Sequence, residues 1–275
     1  MNPTTLPYGQ VNAAADWKVV EFISDLHLQA QEPLTLQAWA RYLANTQADA
    51  VFILGDLFEV WVGDDVLSRP PPSPPRSANE DGFEDHCCRV LRAAAAQRNI
   101  FFMHGNRDFL LGEAFALACG ITLLADPTVL VFGDQRWLLS HGDAWCLDDT
   151  EYLQFRAQVR TASWQTDFLS KPLAERLAIA QGMRLQSEVR KRGGTRYGDV
   201  DTDAARHALQ TAGARTLIHG HTHQPADHDL GQGLRRLVLS DWDAAATPAR
   251  SQVMRLSLLD DATGNRGVQI QRLSA

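Results

Sequence analysis

The sequence lacks any long hydrophobic run and any start that resembles a leader. No apolar stretch approaches the roughly 20 residues that a membrane-spanning helix needs. The segment from Met1 to Asp16 has neither the basic start nor the apolar core of a signal peptide. From these two absences we expect a protein that stays in the cytoplasm.

Cysteine is scarce too, with 4 residues in a chain of 275. Cys87, Cys88, Cys119 and Cys146 show no CxxC or zinc-finger spacing, and two adjacent cysteines cannot easily crosslink a fold. The pattern therefore argues against a disulfide scaffold and a zinc finger. It predicts free thiols in a reducing compartment.

The length of 275 residues is enough to bury a sizeable core in one or two domains. A net charge of −7 argues against the extended basic surface that nucleic-acid binding needs, so nucleic acid is not an expected partner. The stretch from Ser68 to Glu80 has five prolines and no apolar face. It predicts a mobile surface loop, since proline disfavours both helix and strand.

Five short polar motifs each follow a brief apolar run that predicts a buried strand. The predicted strands cover residues 19–24, 50–54, 100–103, 137–140 and 216–218. The motifs that follow them are Asp25-Leu26-His27, Gly55-Asp56, Gly105-Asn106-Arg107-Asp108, His141-Gly142-Asp143 and His219-Gly220-His221-Thr222-His223. In open α/β sheets, ligands bind outside the carboxyl ends of the strands, because loops converge there on a rigid support. We therefore expect the five motifs to meet at one site.

The residue types in these motifs indicate a hydrolytic site with two metal ions. Imidazoles, carboxylates and a carboxamide oxygen are ligands that hold divalent first-row metals around a phosphate. Each motif alone is weak evidence, because a lone surface histidine is usually solvated or hydrogen-bonded. The alternative, five unrelated loop motifs, must also explain why His, Asp and Asn recur at strand ends. The motifs extend from residue 25 to residue 223, which favours a single domain.

The segment from Thr150 to about Asp199 predicts a helical lid inserted between the fourth and fifth motifs. Tyr152, Phe155 and Val159 have helical spacing. Residues 151–200 hold nine basic and five acidic residues, a net charge of +4 in a chain whose total is −7. Such a concentration of positive charge can steer an anionic substrate or bind an anionic membrane surface. The alternative is an ordinary solvated helical face whose apolar residues pack inward.

Together the five motifs resemble the calcineurin-like metallophosphoesterases over about residues 18 to 245. The longer runs at 23–28, 55–65, 104–110 and 219–225 are similar to the branch of that family that hydrolyses UDP-2,3-diacylglucosamine in lipid A biosynthesis. Arg107 favours this branch, because the broader family usually has a histidine there. The resemblance implies an α/β metallophosphoesterase sandwich, with two central mixed β-sheets flanked by helices and a lid inserted at about 150–199.

The resemblance also implies a role for each matching position. A first metal would be held by Asp25, His27 and His223, and a second by Asn106, His141 and His221, with Asp56 bridging the two. The implied cofactor is two Mn²⁺ per chain, although other divalent first-row metals suit the same ligands. Catalytic roles would belong to Asp56, Asn106 and Arg107, while Asp108 is expected to fix the loop. Substrate contacts would come from Asn106, Arg107, Asp149, Ser187, Lys191 and His221.

The implied reaction is hydrolysis of the diphosphate bond of a nucleotide-activated glycolipid, which yields UMP and a diacylated glucosamine 1-phosphate. The acyl chains would contact the lid through Phe155, Trp164, Phe168 and Leu169. The chain departs from the family at Gly194, where the lid often carries a lysine. The implied location is peripheral, on the cytoplasmic face of the inner membrane, with no obligate protein partner. Two alternatives remain: a soluble nucleotide or sugar-nucleotide phosphoesterase of the same fold, and a non-catalytic scaffold, which would usually lose ligands.

Overall fold

The computed structural model describes residues 8–68, 82–192, 198–260 and 266–275, without the side chains of residues 68, 185–192, 260 and 266. Within these ranges the strands are β1 (Gly9–Asn12), β2 (Val19–Ile23), β3 (Ala50–Leu54), β4 (Asn99–Met103), β5 (Thr122–Leu124), β6 (Thr128–Phe132), β7 (Gln135–Ser140), β8 (Thr216–His219), β9 (Asp227–Gly231), β10 (Leu234–Val238), β11 (Trp242–Asp243), β12 (Arg250–Asp260) and β13 (Arg266–Ser274). The helices are α1 (Pro33–Asn45), α2 (Phe83–Ala95), α3 (Glu113–Cys119), α4 (Thr150–Val159), α5 (Ala162–Leu169), α6 (Leu173–Arg192) and α7 (Thr202–Ala212).

These strands form two mixed sheets. The first sheet has six strands in the order β1-β6-β7-β8-β10-β9, and the second has seven, in the order β11-β12-β2-β3-β4-β5 with β13 also paired to β12. In the second sheet β2, β3, β4 and β5 are parallel. In the first sheet β7, β8 and β10 are parallel. Parallel neighbours end at the same edge, so the loops after β2, β3 and β4 lie together, as do those after β7 and β8.

The two sheets pack face to face over an apolar core. Phe22 of β2 stacks on Phe52 of β3 with ring centroids 5.2 Å apart, and Phe52 stacks on Phe101 at 4.7 Å. From the first sheet, side chains such as Leu139 and Ile218 complete the same cluster. Alternate residues of each strand point into this layer, because side chains on a strand alternate between its two faces.

Helices cover the outer face of each sheet. Trp39 of α1, Cys87 of α2 and Phe115 of α3 are fully buried in the core outside the second sheet. Leu209 of α7 packs with Leu138 and other residues outside the first sheet. The result is a four-layer α/β/β/α sandwich, which confirms the predicted fold class.

Local sequence accounts for several of these elements. All five residues of β3 are buried apolar residues, as expected for a parallel strand covered on both faces. Pro33 begins α1, at a position where proline lacks only an N–H that the helix would not use. At the start of α7, the side chain of Asp201 accepts a hydrogen bond from Ala204 N at 2.8 Å.

The five predicted strands are confirmed as β2, β3, β4, β7 and β8. The helical prediction for 150–199 is confirmed up to Arg192 as α4, α5 and α6, and residues 193–197 lie outside the described ones. All four cysteines are free and buried, as predicted. Beyond Ser68, the predicted proline-rich loop lies outside the described residues. In the part of the chain that is described, we find no helix that combines the length and hydropathy needed to cross a bilayer.

Candidate metal centre

The seven ligand candidates lie where strands end at one edge of the sandwich. Four follow strands of the second sheet and three follow strands of the first: Asp25, His27, Asp56 and Asn106, then His141, His221 and His223. Each side chain reaches the site from a short loop on a rigid strand. Since both sheets contribute, the complete set exists only when the two sheets are packed together.

Most of these residues hold an uncommon backbone conformation. Five have positive φ: Asp25 (53°), His27 (48°), Asp56 (53°), His221 (69°) and His223 (54°). A residue other than glycine in this region costs on the order of 1–3 kcal/mol and persists only where its surroundings impose the conformation. Here the N–H groups of Leu26 and His27 both donate to Asp56 O, at 2.9 and 3.0 Å. Strain of this kind clusters at functional sites.

Two glycines let the ligand loops approach each other. A Cβ on Gly105 would lie 2.0 Å from Asp56 Oδ1, and one on Gly220 would lie 2.3 Å from Asp25 Oδ2. Neither distance is compatible with a side chain. The glycines in the Gly105-Asn106 and Gly220-His221 motifs therefore allow carboxylates from neighbouring loops to reach the site.

The first cluster consists of Asp25, His27 and His223. Their ligand atoms all lie within 4.8 Å of one another. His223 Nε2 is 3.3 Å from Asp25 Oδ1 and 3.2 Å from His27 Nε2. Asp25 Oδ2 accepts hydrogen bonds from Ser24 Oγ and the N–H of His221, at 2.6 and 2.9 Å. Its Oδ1 is buried and makes no hydrogen bond among the described residues, which suits an oxygen that binds a cation.

The second cluster centres on the side-chain oxygen of Asn106. Asn106 Oδ1 lies 3.0 Å from His141 Nε2 and 3.0 Å from His221 Nδ1. The other ring nitrogen of His141 is 2.9 Å from Leu54 O, a contact that fixes the orientation of the ring.

Asp56 lies between the two clusters. Its Oδ2 is 3.9 Å from His27 Nε2 and 3.8 Å from His141 Nε2. One carboxylate oxygen therefore faces a histidine of each cluster. Oxygen and imidazole donors in this arrangement fit divalent metal ions.

Comparisons with known proteins agree with this geometry. A family model described as calcineurin-like phosphoesterase matches residues 20–225, a range that contains all seven ligand candidates. The chain belongs to this family. As a calcineurin-like phosphoesterase it is a metal-dependent hydrolase.

Curated relatives cover most of this phosphoesterase. One from Chromobacterium violaceum, named UDP-2,3-diacylglucosamine hydrolase, is 47% identical over 232 residues, which are 81% of this chain and 90% of that protein. A relative of the same name from Chromohalobacter salexigens is 39% identical, over 87% of this chain and 93% of that protein. A solved structure of an archaeal phosphodiesterase aligns with a TM-score of 0.42 and 11% identity, over 93% of this chain and 99% of that one.

The electrostatics of the phosphoesterase site favour cations. Burial alone would lower the pKa of His141, but the carboxylates of Asp56 and Asp25 raise it to about 9. Burial would likewise raise the pKa of Asp25, yet the contact with His223 and the other nearby imidazoles hold it below its usual value. Burial and the charge of His141 lower the pKa of His221 to about 4, which keeps that ring neutral. The negative field that favours a proton on His141 equally favours a metal cation at that nitrogen.

Arg107 and Asp108 have different surroundings. The backbone N–H of Arg107 donates to Asp56 Oδ1 at 2.8 Å, and its guanidinium Nη1 lies 3.9 Å from Glu59 Oε1. Asp108 is buried and accepts hydrogen bonds from the N–H groups of Gly105 and Leu57, at 2.9 and 2.7 Å. Asp108 thus holds the loop, as the sequence predicted. Burial and the charge of Asp56 raise its pKa to about 7.

Sequence reasoning assigned no role to two carboxylates beside the ligands. Glu59 Oε2 lies 2.9 Å from His27 Nδ1. Asp143 is fully buried, accepts a hydrogen bond from Arg156 Nε at 2.8 Å and another from the hydroxyl of Tyr152. Asp143 belongs to one of the five motifs and Glu59 to the run at 55–65, so the sequence marked both positions. Their contacts depend on the folded arrangement.

The lid segment is attached to the site through α4. The ring of Tyr152 lies against that of His221, with centroids 6.1 Å apart. One turn after Arg156, Arg160 donates from Nη2 to Gly105 O at 2.7 Å and lies over the Phe109 ring at 5.0 Å. These α4 residues therefore contact loops that carry Asn106 and His221.

Other predicted lid residues differ in their exposure. Phe155 and Leu169 are partly exposed, whereas Phe168 is buried and stacks on Trp164 with centroids 4.8 Å apart. Phe168 therefore packs inward, as expected for the alternative in which the apolar residues of the lid face the core. Asp149, a predicted substrate contact, caps α4 by accepting a hydrogen bond from Tyr152 N at 3.1 Å. The side chains of Ser187 and Lys191 and the position of Gly194 lie outside what the structure describes.

Proposed function

We propose that this phosphoesterase hydrolyses the diphosphate bond of UDP-2,3-diacylglucosamine to UMP and 2,3-diacylglucosamine 1-phosphate, a step of lipid A biosynthesis. The curated relatives that bear this substrate in their name support the assignment, since they align over most of the chain. The observation that carries the chemistry is the position of Asp56, whose Oδ2 faces His27 and His141 at 3.9 and 3.8 Å.

We propose two Mn²⁺ per chain as the cofactor. Asp25, His27 and His223 would hold one ion, Asn106, His141 and His221 the other, and Asp56 both. When bound, the ions would polarise the phosphate and make a water molecule nucleophilic near neutral pH. The mixed oxygen and imidazole donor set suits Mn²⁺, and it also accepts neighbouring first-row metals.

The side chains of the protein would bind the phosphate and stabilise its developing charge. Arg107 lies on the loop next to the ligand Asn106, and its guanidinium can form two charge-assisted hydrogen bonds to the phosphate. Such a preorganised donor stabilises charge that develops on the phosphate oxygens. We propose Asp56, Asn106 and Arg107 as catalytic residues. We propose that substrate contacts come from Asn106, Arg107, Asp149, Ser187, Lys191 and His221.

For the rest of the molecule we propose one domain with a lid at about 150–199. The net charge of +4 over residues 151–200, with exposed Phe155 and Leu169, supports contact with an acylated anionic substrate. It also supports peripheral association with the cytoplasmic face of the inner membrane, because each basic residue near an anionic surface contributes about 1 kcal/mol. Neither nucleic acid nor an obligate protein partner enters this proposal.

The direct test is to incubate the purified protein with Mn²⁺ and UDP-2,3-diacylglucosamine and to measure UMP. We expect UMP to form with the wild-type protein and not with Asp56→Ala. A parallel assay with a UDP-sugar that carries no acyl chain distinguishes the competing soluble sugar-nucleotide phosphoesterase. Equal turnover of both compounds would reject the lipid substrate, and no turnover of either by metal-loaded protein would favour a non-catalytic scaffold.

A further inference from the structure

Glu59 lies beside the first cluster on a loop that the main chain holds in place. Its N–H donates to Leu28 O at 3.2 Å, and the N–H of Leu28 donates to Leu57 O at 2.9 Å. The loop after β3 is thereby paired with the loop that carries His27. Only 12% of the Glu59 side chain is exposed, so its carboxylate has a fixed direction in a partly desolvated setting.

The two oxygens of Glu59 face different parts of the site. Oε2 is 2.9 Å from His27 Nδ1, while His27 Nε2 points at His223 Nε2, 3.2 Å away. Oε1 is 3.1 Å from Arg184 Nε and 3.9 Å from Arg107 Nη1. The Glu59 carboxylate therefore faces the metal-ligand candidate His27, the proposed phosphate-binding residue Arg107, and Arg184 of the lid helix α6.

We infer that Glu59 is a positioning residue that sets the ring of His27 for the first metal ion and ties the lid helix α6 to the same point. This inference rests on the proposed function of the site as a metal-dependent phosphoesterase. A carboxylate on the outer nitrogen of a ligating imidazole fixes the ring orientation and makes the inner nitrogen a better donor. The second oxygen places Arg184 and turns Arg107 toward the cluster.

Because Glu59 serves both, metal binding at the first cluster and the attachment of helix α6 depend on each other. A metal ion held by His27 would make the outer N–H of the ring a stronger donor toward Glu59 and would so order that carboxylate. Ordered Glu59 in turn favours the position of Arg184 on α6. Because such coupling is reciprocal, a lid held against Glu59 also raises affinity at the first metal position.

The competing explanation is that Glu59 only anchors the lid. The chain offers a matched control for this explanation, because Arg176, also on α6, pairs with Asp65. Asp65 and Glu59 each hold an arginine of α6, but the carboxylate of Asp65 contacts Arg176 and no ligand candidate among the described residues. Asp65→Asn therefore weakens the attachment of the lid without touching His27.

The test measures Mn²⁺ binding by titration calorimetry on full-length protein stripped of metal. We expect Glu59→Gln to weaken binding at one of two sites by about 10- to 100-fold, the usual effect of losing such an outer carboxylate. Asp65→Asn should bind Mn²⁺ as the wild type does. Wild-type affinity in Glu59→Gln would overturn the inference, and so would an equal loss in Asp65→Asn.

A second pair of variants covers the case in which Glu59→Gln folds poorly. Arg184→Gln keeps Glu59 beside His27 but weakens its tie to α6, so we expect a loss of Mn²⁺ affinity of about 3-fold, smaller than that of Glu59→Gln, and a raised KM for the lipid substrate with little change in kcat. Glu59→Asp is too short to reach both partners and should lose Mn²⁺ affinity as Glu59→Gln does. Full affinity in Glu59→Asp would overturn the inference. Because binding is measured without substrate, failure of the wild type on UDP-2,3-diacylglucosamine would count against the proposed substrate and not against Glu59.

Discussion

At the scale of single residues, the site is built from side chains whose backbone would be unfavourable elsewhere. Asp25, His27, Asp56, His221 and His223 all have positive φ. The surrounding main chain imposes these conformations through contacts such as Trp242 N to Asp25 O at 3.0 Å. The protein's own main chain therefore holds the loops in the strained form, which lowers the reorganisation needed to bind a ligand.

Asp56 is expected to be the least replaceable residue of the site. Since its carboxylate faces both clusters, Asp56→Ala should abolish turnover and metal binding at both positions. His27→Ala should mainly weaken the first position. Calorimetric stoichiometry and affinity for Mn²⁺ check both variants. Near-normal activity in Asp56→Ala would contradict the proposal of two ions that share one carboxylate.

Arg107 is expected to act on phosphate and not on metal. Arg107→Ala should reduce turnover by roughly 10²-fold or more, as loss of a preorganised charge donor does. Elemental analysis should still find two metal ions per chain. Arg107→Lys keeps the charge but loses the planar fork, so its rate should lie between those of the wild type and Arg107→Ala. Metal loss in Arg107→Ala would mean instead that the side chain supports the ligand loop.

At the scale of elements, the helical insertion divides into an attached and an exposed part. Arg156 and Arg160 attach α4 to Asp143 and Gly105. Arg176 attaches α6 to Asp65. Phe155 and Leu169 face outward, with 38% and 41% of their surface exposed. Exposed apolar residues next to basic ones suit an acylated anionic ligand.

Replacing the exposed lid residues tests whether the lid binds acyl chains. Removing apolar contacts of about 1.5–3 kcal/mol each should lower kcat/KM of Phe155→Ser/Leu169→Ser on the diacylated substrate by at least 10-fold. Hydrolysis of bis(p-nitrophenyl) phosphate should change little. Leu117→Ser provides the control, because Leu117 is 85% exposed on α3, outside the lid. Equal losses on both substrates would indicate a structural lid.

At the scale of the whole molecule, the candidate metal centre joins the two sheets. The loops after β2, β3 and β4 come from one sheet and those after β7 and β8 from the other. The seven ligand candidates thus come from two sheets that lie on opposite sides of the central core. Any ion bound by both sets would stabilise the packing of the sandwich as well as the site.

Metal removal should therefore lower the stability of the whole protein. At a free Mn²⁺ concentration about 100 times the Kd, binding should contribute about 2.7 kcal/mol and raise Tm by about 5–10 °C. Scanning calorimetry with Mn²⁺ and then with excess EDTA measures the difference. Asp56→Ala should show the same Tm in both conditions. A wild-type Tm that does not respond to either addition would contradict a centre that spans the two sheets.

Much of the fold and the site was predictable because its signals are local. The runs at 50–54 and 216–218 are apolar and end in motifs with glycine, which is how buried strands enter tight turns. The pairing of β12 with β2 was not predicted, because it joins segments that lie far apart in the chain. Glu59 and Asp143 were visible in their motifs, yet nothing in their spacing indicated which side chains they would meet.

The sequence by itself determined which residue types stand at the strand ends, the helical insertion and the concentration of basic charge within it. These properties follow from local spacing and composition, which need no partner. Only the tertiary structure decided that Asp56 faces both His27 and His141, that Phe168 packs inward while Phe155 remains exposed, and that Glu59 lies between His27 and Arg184. Such contacts join residues up to more than a hundred positions apart, so they arise only when the two sheets and the lid pack together.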